Sequence, residues 1–184
     1  MTLRMIPILL ATMSLALLSA CGGDGDSPEN PTPSVLPEQL IGQQMPEATG
    51  KNLTGTGTTS LSTFKGAPLV VPIWLNACPD CQKEMPRLQA LAGTLQSVKF
   101  VSLAVDDPEA NGSGPKGYET PPAFVKTAGL TMPTLQVPRT ELDSAFNLYR
   151  IPTVFLVDSA GVVAKTFVWP FTTAEVEAAA RALK

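Results

Sequence analysis

The chain has 184 residues, 44% apolar and 16% charged, with a formal net charge of −3 and no histidine. That length fits one domain with an appendage, the apolar share excludes a chain disordered throughout, and the lack of a basic stripe excludes a nucleic-acid partner. Without histidine there is no Ser-His or Cys-His nucleophile pair, no His-ligated haem and hardly any zinc or copper chemistry. Catalysis falls to Cys, carboxylates, Lys, Tyr or the backbone.

Residues 1–20 have the build of a secretory signal. Arg4 gives a thin positive start, an apolar stretch runs from Met5 to Leu18, and Ser19 and Ala20 are small. Leu18-Ser19-Ala20-Cys21 resembles the bacterial lipobox, in which the chain is cut before the Cys and acyl chains on it anchor the protein to the membrane. The alternatives are an ordinary signal peptide with an incidental Cys, or an uncleaved anchor helix. Gly22 stands where an Asp would retain enteric lipoproteins in the inner membrane, which points to the outer membrane. Residues 21–39, rich in Pro, Gly and acidic side chains, read as a lipidated Cys and a disordered tether.

The domain is expected over residues 40–184. Leu53 to Leu61 reads as a hairpin with a Gly-rich turn. Leu69 to Leu75 is an unbroken apolar run, as in a strand buried on both faces. Pro79 to Leu95 has helical periodicity, Phe100 to Val105 reads as a second buried strand, and Asp106 to Pro122 as loop. Short helices are expected at Ala123–Ala128 and Glu141–Leu148, with a short strand at Leu135–Val137 between them. Thr153–Val157 and Val162–Val168 form a hairpin around Asp158-Ser159-Ala160-Gly161. Thr172 to Glu175 fits a capping box that opens a final helix, Ala174 to Leu183. This order predicts an α/β sandwich with a mixed sheet.

With Cys21 lipidated, two cysteines remain, Cys78 and Cys81, at C-x-x-C spacing. A disulfide across two residues closes too small a loop to be a useful staple. No second pair and no His exists to complete a zinc site, and no cofactor is expected. The alternative is a pair with no redox role. A strand ends at Leu75 and a helix begins near Cys78. The first Cys therefore sits where free N–H groups and the helix dipole favour a thiolate, and Cys81 lies one turn inside. Cys78 is the expected nucleophile and Cys81 the resolving thiol.

The run Trp74-Leu75-Asn76-Ala77-Cys78-Pro79-Asp80-Cys81-Gln82-Lys83-Glu84-Met85-Pro86 is similar to the W-x-x-W-C-P-x-C-x-x-E-x-P signature of the TlpA/ResA-like group within the thioredoxin superfamily. Leu61 to Val71 resembles that group's entry to the central strand, and Ile151 to Asp158 resembles its P-T-x-F-L-I-D strand. The resemblance implies a thioredoxin-like three-layer sandwich with a mixed central sheet and an extra N-terminal hairpin. It implies a protein thiol–disulfide oxidoreductase working in the reducing direction, as on apocytochrome c or other exported thiols. It also implies a cis Pro152 against the cysteines and an Ile151 whose backbone pairs with the client. The partners it implies are an exported disulfide or dithiol client and a membrane electron donor. Client contacts are assigned to Ile151, Pro152, Trp74, Pro79 and Asp80; for Trp74, as for Phe155, the competing reading is core. Asp80 beside the thiolate is expected to raise its pKa and favour the reductant role.

Two departures stand out. Ala77 replaces the Trp that precedes the first Cys in the group, leaving the site less shielded. Pro72 replaces the buried Asp of thioredoxin, and a proline inside a central strand predicts a local bulge. Pro86 predicts a kink in its helix. Asp106, Asp107 and Glu109 read as a solvated loop edge, and Tyr118 as a possible partner contact. Glu84, three residues after Cys81, shares its helix face and is the candidate proton shuttle for Cys81; the competing reading is a surface residue paired with Arg87. A peroxiredoxin-like peroxidase is the rival enzyme, but its Thr three residues before the Cys is replaced by Leu75.

Overall fold

The computed structural model describes residues 36–110 and 119–183. Cys21, the expected signal segment, the expected tether up to residue 35 and Tyr118 lie outside the described residues. An eight-stranded mixed sheet is built from β1 (Thr49–Asn52), β2 (Thr58–Ser60), β3 (Leu69–Trp74), β4 (Lys99–Phe100), β5 (Ser102–Asp106), β6 (Thr134–Pro138), β7 (Thr153–Val157) and β8 (Val163–Val168). The helices are α1 (Pro79–Thr94), α2 (Pro121–Thr127), α3 (Arg139–Phe146) and α4 (Thr173–Arg181). Spatial order is β2-β1-β6-β5-β3-β7-β8, with β4 beside β3. β3, β5 and β6 run parallel, while β7, β8, β1 and β2 pair antiparallel.

The unbroken apolar run of β3 is explained by its two buried faces. Val70 and Trp74, with Val154 and Leu156 of β7, face Met85 and Leu88 of α1, Phe124 and Val125 of α2, and Val176 and Ala180 of α4. Leu69, Val71 and Ile73, with Phe155 and Val157, face Leu142 and Phe146 of α3. This period-two sorting makes the three-layer sandwich. A buried polar chain is satisfied link by link. Trp74 Nε1 donates to Ser102 Oγ at 3.3 Å, Ser102 Oγ lies 2.8 Å from Thr134 Oγ1, and Thr134 Oγ1 donates to the Met132 carbonyl at 3.1 Å.

Several expectations shift. The N-terminal hairpin is β1–β2, so its first strand lies upstream of Leu53. The domain begins before residue 40. Pro37–Leu40 is a 3-10 turn with Pro37 and Leu40 buried, and Gly42 and Gln43 exchange backbone bonds with Val163. The proline-rich end of the expected 106–122 loop opens α2, because Thr120 caps it and Pro121 needs no donor in the first turn. Pro72 causes no bulge in β3, whose register against β7 is unbroken from Leu69↔Val157 to Ile73↔Thr153. The carbonyls of Pro68 and Val70 accept from Lys99 and Val101, so even positions point to the parallel neighbour. The missing donor of Pro72 therefore faces that side, where the one predicted strand is split at Val101 into β4 and β5. α1 continues across Pro86, which is exposed, so the freed carbonyl of Gln82 faces solvent. The capping box of α4 forms as expected, with Thr172 and Glu175 bonded reciprocally at 2.8 and 3.2 Å.

Candidate active site

β3 delivers the chain to the end of the sheet, and the turn 75–78 feeds it into α1. The Cys78 N–H donates to the Leu75 carbonyl at 3.1 Å, and Cys78 takes extended backbone angles (φ −87°, ψ 116°) as the N-cap of α1. Pro79 follows as the first helical residue, its ring already at helical φ. In this position the Cys78 sulfur accepts the Cys81 N–H at 3.4 Å, filling a role Ser or Asp usually plays. Both cysteines are free thiols; Cys78 is half-buried and Cys81 fully buried.

The electrostatics separate the two thiols. The Cys81 thiol donates to the Cys78 sulfur and is the main reason the Cys78 pKa falls from 9.0 to about 6; burial opposes this, and the N–H groups of Cys81 and Asp80 add to it. The Asp80 charge raises the Cys78 pKa as expected from sequence, but it is the smallest of these effects. Asp80 also pairs with Lys83 at 3.5 Å. Burial pushes the Cys81 thiol far up, and its bond to Cys78 pushes the same way. One sulfur is thus ready to attack near neutral pH and the other holds its proton.

The loop before β7 completes the site. The Ile151–Pro152 peptide is cis, and the Ile151 carbonyl oxygen lies 3.8 Å from the Cys78 sulfur. This loop is braced from both sides. Thr153 Oγ1 donates to the Arg150 carbonyl at 2.6 Å, Trp169 N–H to the Pro152 carbonyl at 3.2 Å, and an Arg150 guanidinium N–H to the Trp169 carbonyl at 3.1 Å. Ile151, Pro79 and Asp80 keep some surface beside Cys78; Pro152 is buried. Trp74 is fully buried against Phe124, ring centroids 5.0 Å apart, so its assignment as a client contact gives way to the core reading. Sequence reading missed Arg150 and Trp169. The only signal was the Trp169-Pro170 pair just after β8, and its contact with residues 150–152 becomes visible only when β8 lies beside β7.

Glu84 lies on the same buried face of α1 as Cys81 and is 3% exposed. Its Oε1 accepts from Arg87 at 2.6 Å and its Oε2 from Thr173 Oγ1 at 3.1 Å, joining α1 to the first residue of α4. The Arg87 pairing is the one expected of a surface residue, yet the carboxylate itself is interior.

Residues 41–166 match the model of the AhpC/TSA family. Sporulation thiol-disulfide oxidoreductase A of Bacillus subtilis is 30% identical over 115 residues, 61% of this chain and 66% of that protein. The thiol-disulfide oxidoreductase ResA of Geobacillus kaustophilus is 26% identical over 119 residues, 64% of this chain and 63% of that protein. The chain thus spans just under two thirds of the length of these relatives. The crystal structure of a thioredoxin-family thiol:disulfide interchange protein from Chlorobium tepidum superposes with a TM-score of 0.60 at 25% identity, covering 76% of this chain and 94% of that one. The family match over more than half its length, these homologues and the thioredoxin-like sandwich agree: the chain belongs to the AhpC/TSA family and is a TlpA/ResA-like protein of the thioredoxin superfamily.

Proposed function

We propose that this protein is a thiol–disulfide oxidoreductase that reduces disulfides of exported proteins while tethered to a membrane through Cys21. The observation that carries the reading is the asymmetry of the pair. Cys78 is partly exposed at a helix N-cap with a lowered pKa, and Cys81 is buried one turn on with a raised one. The Cys78 thiolate attacks one sulfur of the client disulfide, forming a mixed disulfide and releasing the other client sulfur as thiolate. Cys81 then loses its proton and attacks the Cys78 sulfur. The Cys78–Cys81 disulfide forms, the client leaves as a dithiol, and two electrons have passed to it. A dithiol donor at the membrane returns them.

Ile151, with its carbonyl turned to Cys78, is assigned the backbone pairing with the client, and Pro152, Pro79 and Asp80 frame the approach. Glu84 is assigned the proton of Cys81. The lipobox-like Leu18 to Cys21 supports the anchor, and with it a periplasmic-side location, of which Gly22 favours the outer membrane.

Insulin reduction by wild type and Cys78→Ser tests the activity: equal rates would overturn it. The reduction potential measured against glutathione tests the direction, and a value near that of a strong oxidant such as DsbA would reverse it.

A further inference from the structure

Between β3 and the Cys78 sulfur the chain turns through Leu75, Asn76 and Ala77, and the Cys78 N–H bonded to the Leu75 carbonyl makes Asn76 the first corner of that turn. Corner residues of a turn beside an open site are ordinarily solvated, yet Asn76 is 1% exposed. Its Nδ2 donates to the carbonyl of Glu119 and, at 3.3 Å, to that of Ala110. Both neighbours are acceptors, which fixes the amide with its nitrogen toward them. From the opposite side Gln82 Nε2, in the first turns of α1, donates to the Asn76 carbonyl at 2.8 Å. Asn76 Oδ1 is buried with no hydrogen-bond partner among the described residues. An unpaired buried acceptor destabilises a fold, so stability by itself does not account for an amide here.

The turn after β5, the start of α2 and the end of β3 meet at Asn76. Ala110 ends the turn after β5, its N–H donating to the Asp107 carbonyl at 3.0 Å. Glu119 precedes Thr120, the cap of α2. We infer that Asn76 is a positioning residue for the nucleophile: held by the Ala110 and Glu119 carbonyls on one side and by Gln82 on the other, it fixes the 75–78 turn so that Cys78 enters α1 with its sulfur on the Cys81 N–H. The inference rests on the thiol–disulfide reading of this site. Pro79 holds residue 78 extended from downstream, and Asn76 holds the turn from upstream. The Cys78 Sγ···Cys81 N separation is 3.4 Å, an ordinary hydrogen-bond length for sulfur, and it depends on where the turn sets residue 78.

The test uses the purified full chain, reduced, as wild type, Asn76→Ala and Gln82→Ala. Gln82 is exposed, so its truncation removes one clamp, leaving the Asn76 carbonyl without the Gln82 N–H and the core otherwise intact. Asp80 and Cys81, the ionisable groups acting on Cys78, are untouched by either change. Thiolate ultraviolet absorbance and iodoacetamide alkylation are followed against pH, with melting temperature alongside. Both variants are expected to raise the Cys78 midpoint by about half to one pH unit and to slow alkylation at pH 6 about threefold. A purely structural Asn76 would lower the melting temperature and leave the midpoint in place. Titrations of folded variants that overlay wild type overturn the inference; if Asn76→Ala does not fold, Gln82→Ala decides. Cys78→Ser assayed in parallel on insulin separates the cases. If it is as active as wild type the reading of the site fails; if it is inactive while the clamp variants titrate as wild type, only the clamp fails.

Discussion

The Ile151 carbonyl oxygen and the Cys78 sulfur stand 3.8 Å apart although 73 residues separate them. The cause is the antiparallel pairing of β3 with β7, in register from Leu69↔Val157 to Ile73↔Thr153. The end of β3 that feeds Cys78 and the start of β7 that follows Pro152 thereby lie side by side at one end of the sheet. A client strand bonded to Ile151 would have its own disulfide beside the nucleophile.

Cys81→Ser is expected to stop turnover after the first exchange. Non-reducing gels of the variant with an insulin client should show a trapped mixed disulfide through Cys78, absent from Cys78→Ser. If the Cys81→Ser protein traps no client at a detectable level, Cys78 is not the attacking sulfur. With hydrogen peroxide in place of a client, sulfenate on Cys78 should form slowly; fast formation would move the protein to the peroxidases.

Alkylation of the reduced protein by iodoacetamide should be half-maximal near pH 6, the lowered Cys78 value, against 9.0 for an ordinary thiol. The sign for stability follows. From pH 6 to 9 the folded Cys78 is thiolate while the unfolded one still binds a proton, so the reduced fold gains stability as pH rises and loses it as pH falls through 6. Cys81, raised instead, removes stability above pH 9, where only the unfolded chain ionises. The melting temperature of reduced wild type should therefore climb relative to Cys78→Ser between pH 6 and 9. A flat difference would contradict the assignment.

Glu84→Gln should slow disulfide exchange and change its pH profile. The interior carboxylate is also bonded to Arg87 and Thr173, so the substitution touches the packing of α1 on α4. A stability loss of about 1–2 kcal/mol should accompany the change, visible in urea denaturation of the reduced variant. Rate–pH profiles that superimpose between about pH 5 and 9 would leave Glu84 a brace between α1 and α4 and nothing more.

Cys21→Ser should release the protein from the membrane fraction and abolish incorporation of labelled fatty acid, while insulin reduction by the variant is retained. Membrane association that survives the change would point to an uncleaved anchor instead.

Local facts were legible in the chain alone. C-x-x-C after an apolar run, with Pro79 next to Cys78, was enough to place one thiol at a helix N-terminus and the other a turn inside, because helix geometry is set within a few residues. The buried strands, the Asp158–Gly161 hairpin and the Thr172–Glu175 cap were legible for the same reason. Apart from the placing of Pro152 against the cysteines, which the family resemblance already implied, whatever depends on partners distant in the chain had to wait for the folded arrangement. Strand pairing brought Ile151 to Cys78, and helix packing closed Glu84 under Thr173 of α4. Burial set Trp74 against Phe124, and Ala110 and Glu119 clamped Asn76. The split at Val101 belongs here too. The proline is written in β3, but its lost hydrogen bond appears in the neighbour that its missing donor happens to face.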